Sequence, residues 1–170
     1  LFGYFQSEKY FIDIRDEILE DFTFLPHIYE PAKEMRDEFD DEVISLHIRR
    51  GDYVEQPWHG PQTTDYYAKA LKMMPENLPV IIFTDDPTWA FQQKLFESDR
   101  FIVSENNSNL FDMCLMTLCN YHIIANSSFS WWGAWLSDSK KVIAPKRWFG
   151  PPLDKKNDTK DLIPSRWEKI

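Results

Sequence analysis

The sequence is short of several features that would assign it to a specialised class of protein. Only two cysteines occur in 170 residues, and Cys114 and Cys119 lie five positions apart in a segment of helical pattern. That number and spacing do not make a disulfide framework, and they favour free, buried thiols in a reducing compartment. No apolar run approaches the ~20 residues of a membrane span, and no signal peptide is visible.

Excess positive charge is also missing. The net charge of −9 argues against a general nucleic-acid binder, whose surface would carry a basic patch. A small anionic ligand stays open, because a local cluster of arginines can oppose the sign of the whole chain. A hydrophobic content of 43% is typical of one folded domain, and the seven tryptophans suit either a core or a carbohydrate site. The sequence begins at Leu1 rather than at a methionine, and we expect it to be a fragment.

Short apolar runs alternate with helical patterns along the chain. The predicted strands are residues 43–49, 80–83, 101–103, 121–125 and 141–145, and the predicted helices are residues 10–22, 63–74, 88–96, 108–119 and 131–136. We expect Pro26 and Pro31 to interrupt any helix beyond Phe22. The alternation favours an α/β fold, with a Rossmann-like parallel sheet covered by helices on both faces.

Polar side chains follow three of these strands. They are Arg49-Arg50 after the first strand, Thr84-Asp85-Asp86 after the second, and Asn126-Ser127-Ser128 after the fourth. The carboxyl ends of parallel strands share one edge of the sheet, where open α/β proteins bind their ligands. We therefore expect the three loops to converge on one site.

The arginines and serines suit an anionic ligand. Arginine carries a permanent charge in a planar fork that matches phosphate oxygens. Because neighbouring residues of a strand point to opposite faces, Arg49 and Arg50 are expected to differ in task. One would face a ligand and the other would pair with a scaffold acid, unless both are simply surface residues. The segment Ser127–Ser130 opens a helix, and its N–H groups and hydroxyls make an anion cradle.

The carboxylates have several open interpretations. Asp85-Asp86 before Pro87 is either a helix-capping turn or a set of acceptors for sugar hydroxyls or for the guanine N1–H and 2-amino group. Asp112, at the start of an apolar helix, either complements the helix dipole or faces a ligand. A metal-binding aspartate pair finds no third ligand at useful spacing, so no metal site is predicted.

Three segments resemble the motifs of known fucosyltransferases. His47-Ile48-Arg49-Arg50-Gly51-Asp52-Tyr53 resembles the HxRRxD motif shared by α-1,2-, α-1,6- and protein O-fucosyltransferases, and Phe83-Thr84-Asp85-Asp86 resembles their second motif. Residues 125–136, with the run Ser-Ser-Phe-Ser-Trp-Trp-Gly-Ala-Trp, are similar to the third motif of the α-1,2-fucosyltransferases of glycosyltransferase family 11. The motifs stand in the expected order, and the resemblance covers residues 1–170.

The resemblance implies the carboxyl-terminal, donor-binding half of a GT-B glycosyltransferase. Such an enzyme transfers L-fucose from GDP-fucose to the 2-hydroxyl of a terminal galactoside, with inversion and with neither metal nor cofactor. We expect one nucleotide-sugar-binding domain over residues 1–170, with a connector and leading helix in residues 1–40 and the Rossmann-like core in residues 41–170. The amino-terminal, acceptor-side half is expected to be absent.

The motif positions also carry the family's residue roles onto this chain. The implied ligands are His47 and Asp112 for guanine, Arg49 for the β-phosphate, Asp85 for nucleotide or fucose, and Ser127, Ser128 and Phe129 for the phosphates. Arg50 is a further binding candidate or a structural ion-pair partner of Asp52 or Asp86.

Arg49 and Asp52 are the catalytic candidates. The base stays open among Asp52, Glu55 and a group from the missing half, because Pro57 stands where some relatives place a glutamate.

The partners and the location follow from the same resemblance. The acceptor would be a galactose-terminated oligosaccharide or glycolipid, and nucleic acid is not a partner. Similarity to bacterial members implies a cytoplasmic enzyme, with peripheral contact at the inner membrane left open. Two other functions also stay open: a non-catalytic GDP-sugar- or carbohydrate-binding module, and a fucosyltransferase of other regiochemistry. The tripeptide Arg50-Gly51-Asp52 matches a cell-adhesion signal, but its position at a strand end makes it incidental.

Overall fold

A computed structural model describes residues 6–170, so residues 1–5 of the predicted connector lie outside the described residues. The strands are β1 Ile44–Ile48, β2 Val80–Thr84, β3 Phe101–Val103, β4 Tyr121–Ile123, β5 Lys141–Ala144 and β6 Glu168–Lys169. The α-helices are α1 Arg15–Asp21, α2 Pro26–Asp37, α3 Thr64–Leu71, α4 Pro87–Phe91, α5 Asn109–Thr117, α6 Ser128–Trp135 and α7 Pro151–Asp154. Short 3₁₀ turns cover Glu8–Tyr10, Ile12–Ile14, Gly51–Val54 and Lys94–Phe96.

The strands form one sheet in the order β3-β2-β1-β4-β5-β6. Every pair of neighbours is parallel, which confirms the predicted sheet. The order is that of the Rossmann fold, and it reverses direction between β1 and β4. The connections leaving β1 and β4 therefore diverge, and a crevice opens there at the carboxyl ends of the strands.

The two faces of the sheet are buried under different helices. Ile44, Leu46 and Ile48 of β1 pack with α3 and α4 on one face. On the other face, Ile81 and Phe83 of β2 pack with α2 and α5. Alternation along β1 turns Ser45 and His47 toward this second face, so β1 directs its one ionisable side chain toward α5.

The tryptophan-rich helix α6 packs beside α5. Its Trp131 and Trp135 are buried and stack with ring centroids 6.3 Å apart. A Cβ atom at Gly133 would lie 2.5 Å from Met116 Sδ, so this glycine is what lets α6 approach α5 closely. Trp148 and Trp167 join the same core. Most of the tryptophan content is thus explained by packing rather than by a carbohydrate surface.

Three details of the fold differ from the sequence expectation. The helix α2 begins at Pro26 and contains Pro31, where we expected an interruption. Proline suits the first position of a helix, and packing of α2 against α5 through buried Ala32 compensates for the hydrogen bond that Pro31 cannot make. Helix α6 starts at Ser128, three residues early. Strand β6 was not predicted, because two exposed polar residues carry no apolar pattern.

The structure also bears on the two cysteines and on membrane-spanning segments. Cys114 and Cys119 are free and buried, which confirms the predicted thiols. Within residues 6–170, no helix is both long and apolar enough to cross a membrane.

Candidate functional site

A polar hollow of about 110 Å³ opens at the carboxyl edge of the sheet, where β1 and β2 end beside α5 and α6. Its lining residues are His47, Arg49, Phe83, Thr84, Asp85, Asn109, Asp112 and Phe129. The prediction that separate strand exits converge is confirmed for β1 and β2, and α6 contributes Phe129 after β4. Five of the sequence-predicted site residues meet here.

His47 is the most buried polar residue of the hollow, with 5% of its surface exposed. Its ring lies 5.5 Å from the ring of Phe129. Burial, with a smaller contribution from the neighbouring Arg49 charge, lowers the pKa of His47 to about 3, so the imidazole is neutral at pH 7. The Nδ1 atom is buried without a hydrogen-bond partner in the described part of the chain. A buried, unpaired ring nitrogen of this kind is uncommon and calls for a functional explanation.

Arg49 lies between two carboxylates at the mouth of the hollow. Its Nη2 donates to Asp52 Oδ1 at 2.6 Å, and its Nη1 lies 2.9 Å from Asp85 Oδ2. The guanidinium also lies over the ring of Tyr53, 5.3 Å from its centroid. The arginine is therefore oriented from several sides while 36% of its side chain remains exposed to a ligand.

Arg50 belongs to the scaffold. Its Nε donates to Asp86 Oδ2 at 3.0 Å, and its guanidinium stacks over Trp89 at 4.3 Å. Asp86 also caps α4, because its Oδ1 accepts from the N–H of Trp89. Of the two predicted partners, Asp86 is correct and Asp52 is wrong. The split between Arg49 and Arg50 follows the alternation of the strand, which sends Arg50 away from the hollow.

Asp112 lies in the first turn of α5, where it complements the helix dipole and also lines the hollow. The hydroxyl of Ser104 donates to Asp112 Oδ1 at 2.7 Å, and Asn107 donates to Ser104 in turn. Burial raises the pKa of Asp112, and the bond from Ser104 opposes that shift in part. Ser104 was missed from the sequence. Its only signal was its place directly after a strand.

The loop between β4 and α6 divides into a scaffold part and an exposed part. Ser127 is the residue before α6, is 8% exposed and makes no side-chain capping bond. Ser128 is exposed, and Phe129 lines the hollow. Neither serine lines the hollow itself.

Asn126, which we grouped with ligand-like residues, is 1% exposed and structural. Its amide donates to the carbonyl oxygens of His59, Gly60 and Trp148 at 2.9–3.3 Å. It also accepts from Gln62 at 3.0 Å. Asn126 thereby ties the loop after β1 to the loop after β5, at the rim of the crevice.

Asp52 and Glu55 lie outside the hollow. Asp52 is the second residue of the Gly51–Val54 turn and touches the site through Arg49. Glu55 follows this turn and is exposed. Within residues 6–170, no group of three His, Cys, Asp or Glu side chains is arranged to hold a metal ion.

The fold and the hollow together define a class: a parallel α/β domain with charged side chains gathered at the switch point of its sheet. Comparison with known proteins gives the family. The family model for glycosyl transferase family 11 matches residues 1–168, and the chain belongs to this family.

Several curated proteins resemble the chain. It is 38% identical to an alpha-1,2-colitosyltransferase of Escherichia coli, over 99% of this chain and 61% of that protein. It is 37% identical to the O-antigen biosynthesis glycosyltransferase WbnK of Escherichia coli, over 88% of this chain and 55% of that protein. It is 28% identical to the galactoside 2-alpha-L-fucosyltransferase SEC1 of Bos taurus, over 84% of this chain and 43% of that protein. The chain thus spans about half the length of these relatives. No solved structure gives a significant match.

Proposed function

We propose that this chain forms the donor-binding part of a glycosyltransferase that transfers L-fucose from GDP-fucose to the 2-hydroxyl of a terminal galactoside. The observation that carries the proposal is the meeting of His47, Arg49 and Asp112 in one hollow at the switch point of the sheet. Membership of family 11 and the activities for which the relatives are named support the reaction class.

The guanine end of the donor is assigned to the buried part of the hollow. Ser104 already occupies Asp112 Oδ1, so Oδ2 is the oxygen available to the guanine N1–H and 2-amino group. The neutral ring of His47 adds a hydrogen bond to the same base. A hollow of about 110 Å³ is well below the ~300–1,000 Å³ of a site that encloses a drug-sized ligand. It therefore takes only part of the nucleotide sugar, and the remainder extends past Arg49.

The diphosphate is assigned to Arg49 and to the start of α6. The planar fork of Arg49 matches the β-phosphate oxygens. The hydroxyl of Ser127, which makes no capping bond, the hydroxyl of Ser128 and the N–H groups of the first turn of α6 offer further donors. These groups meet the phosphate charge without a divalent ion, in keeping with the metal-independent transfer that we propose.

The chemistry follows from where charge develops. The bond from the anomeric carbon to the β-phosphate oxygen breaks, and the acceptor oxygen bonds to the same carbon from the opposite face, so the configuration inverts. Negative charge collects on the departing diphosphate, where Arg49 lies. One preorganised donor to developing charge contributes ~3 kcal/mol, or about a hundredfold in rate. The acceptor proton passes to a base, for which Asp52, Glu55 and a group outside this chain are the candidates.

Calorimetry on the 170-residue chain tests the donor assignment. We expect GDP and GDP-fucose to bind, ADP and UDP to bind much more weakly, and EDTA to change nothing. Arg49→Ala and Arg49→Lys should both lose most of the affinity, because lysine lacks the fork. Arg15→Lys, at a similarly exposed arginine on α1, is the matched control and should bind like the parent. Equal affinity for the three bases would remove the roles of His47 and Asp112.

Transfer has to be measured with a complete family 11 enzyme that carries this domain. Normal turnover by Arg49→Lys in that enzyme would defeat the assignment of Arg49. Selective GDP binding with no transfer to any galactoside would favour the non-catalytic module.

The 38% identity to an alpha-1,2-colitosyltransferase favours a second candidate, transfer of colitose, which is fucose without its 3-hydroxyl. The complete enzyme should be offered GDP-fucose and GDP-colitose separately, and kcat/KM compared. If kcat/KM is higher for GDP-colitose, colitose replaces fucose as the proposed sugar. The roles of the nucleotide-binding residues stay unchanged.

A further inference from the structure

We propose that the two carboxylates bound to Arg49 have opposite roles: Asp85 orients the guanidinium, whereas Asp52 is a displaceable counter-ion that the donor diphosphate must expel. The inference rests on the proposed function, since it assumes that Arg49 receives a diphosphate. It concerns the carboxylate that is paired with Arg49 before the donor binds.

The competition follows from the atoms that Arg49 already uses. Asp52 Oδ1 accepts a hydrogen bond from Nη2 at 2.6 Å, and Asp85 Oδ2 lies 2.9 Å from Nη1. These two nitrogens form the end of the guanidinium fork, which is the part that grips a phosphate through two parallel bonds. One positive charge between two negative charges also leaves a net negative cluster. A diphosphate approaching this cluster is repelled unless one carboxylate moves away.

Asp85 is held in place independently of Arg49. Its Oδ1 accepts from the backbone N–H of Arg50 at 2.8 Å. A Cβ atom at Gly51 would lie only 2.6 Å from Asp85 Oδ2, so the backbone packs closely against the carboxylate. Its side chain is 27% exposed and lines the hollow. Asp85 therefore keeps its position when a ligand binds, and it fixes the direction of Arg49.

Asp52 has none of these restraints. Its side chain is 49% exposed and projects from the 3₁₀ turn Gly51–Val54. Within residues 6–170, Arg49 is the only partner of its carboxylate. An exposed ion pair of this kind contributes little to stability, whereas a charge-assisted bond from arginine to phosphate is among the stronger hydrogen bonds. The diphosphate can therefore replace Asp52 with a single side-chain rotation.

Replacing Asp52 by asparagine should tighten GDP binding, because it removes the competing charge while keeping the size of the side chain. We expect GDP to bind the Asp52→Asn chain roughly three- to tenfold more tightly than the parent, as measured by calorimetry. Asp85→Asn should weaken binding by a similar factor, because Arg49 loses its fixed partner. Asp65→Asn is the matched control, since it makes the same substitution at an exposed position in the first turn of α3, after the same loop, without touching Arg49. Its affinity should stay within about twofold of the parent.

The outcomes separate this inference from the proposed function. A parent chain that binds no GDP overturns the proposed function. If the parent binds GDP but Asp52→Asn binds it equally or more weakly, the counter-ion role of Asp52 is wrong. An equal gain in Asp52→Asn and Asp65→Asn also contradicts the inference, because it indicates a general charge effect. Circular dichroism on each variant shows whether the fold is retained. We expect Asp52→Asn to retain the fold, because Asp52 is exposed.

Discussion

The strand β4 carries a buried histidine that makes the stability of this fold sensitive to acid. His122 is fully buried, and neither ring nitrogen has a hydrogen-bond partner of normal geometry in the described part of the chain. Burial lowers the pKa of His122 from 6.5 to about 4, and the nearby backbone of Cys119 opposes this only in part. We predict that replacing His122 with leucine removes a large share of the acid sensitivity.

The sign and the size follow from proton linkage. Between pH 6.5 and about 4 the unfolded chain binds a proton at His122 and the folded chain does not. The free energy of unfolding therefore falls as the pH is lowered through this window and levels off below it. At ~1.4 kcal/mol per pKa unit the full contribution is about 3 kcal/mol, and about 2 kcal/mol of it is lost between pH 7.5 and pH 5. His47, with a pKa of about 3, adds a loss in the same direction.

Urea denaturation followed by tryptophan fluorescence at pH 7.5, 6 and 5 measures this contribution. On acidification to pH 5 the His122→Leu chain should lose about 2 kcal/mol less than the parent. At pH 7.5 it should be at least as stable, since leucine removes an unpaired buried polar group. His27→Gln, at an exposed histidine on α2, is the control and should follow the parent. A His122→Leu chain that loses as much stability as the parent would refute the reasoning.

Three further substitutions test contacts around the hollow. Gly51→Ala should push the Asp85 carboxylate away from Arg49, since the new Cβ would lie 2.6 Å from its Oδ2, and GDP affinity should fall roughly three- to tenfold in calorimetry. Ser104→Ala should cost about 1–2 kcal/mol in urea denaturation, because Asp112 loses its 2.7 Å bond, and it should narrow the preference for GDP over ADP. Asn126→Ala should cost about 3 kcal/mol in the same denaturation assay, because three carbonyl oxygens lose their donor.

Two of these substitutions have matched controls on the surface. Ser165→Ala and Asn77→Ala change the same residue types at exposed positions and should stay within ~0.5 kcal/mol of the parent. If Ser104→Ala or Asn126→Ala behaves like its control, the corresponding hydrogen bonds do not contribute as described. Unchanged GDP binding by Gly51→Ala would mean that Asp85 does not need its present position.

The sequence alone was sufficient for the central strands and for the edge at which the site lies. Continuous apolar residues in β1 and β2 identify strands buried on both faces, and parallel strands bring their exits to one edge. Alternation along β1 was enough to predict that Arg49 and Arg50 have different environments. These inferences succeed because they depend on the local periodicity of apolar residues and on the way in which parallel strands are connected. Both can be recognised from consecutive residues.

Only the tertiary structure decided which of several chemically equivalent side chains come into contact. Asp52 and Asp86 were equal candidates for Arg50 in the sequence, and only the packing of α4 beside β1 brings Asp86 to it and leaves Asp52 to Arg49. The bond from Ser104 to Asp112 joins a strand exit to the helix that follows.

The same applies where a local rule failed. Pro31 argued against a helix, yet burial of α2 against α5 outweighs the one lost hydrogen bond. Asn126 carried the appearance of a ligand-binding residue, but its burial among three carbonyl oxygens made it part of the scaffold. Contacts between residues distant in sequence depend on how the layers pack, and no local pattern encodes that packing.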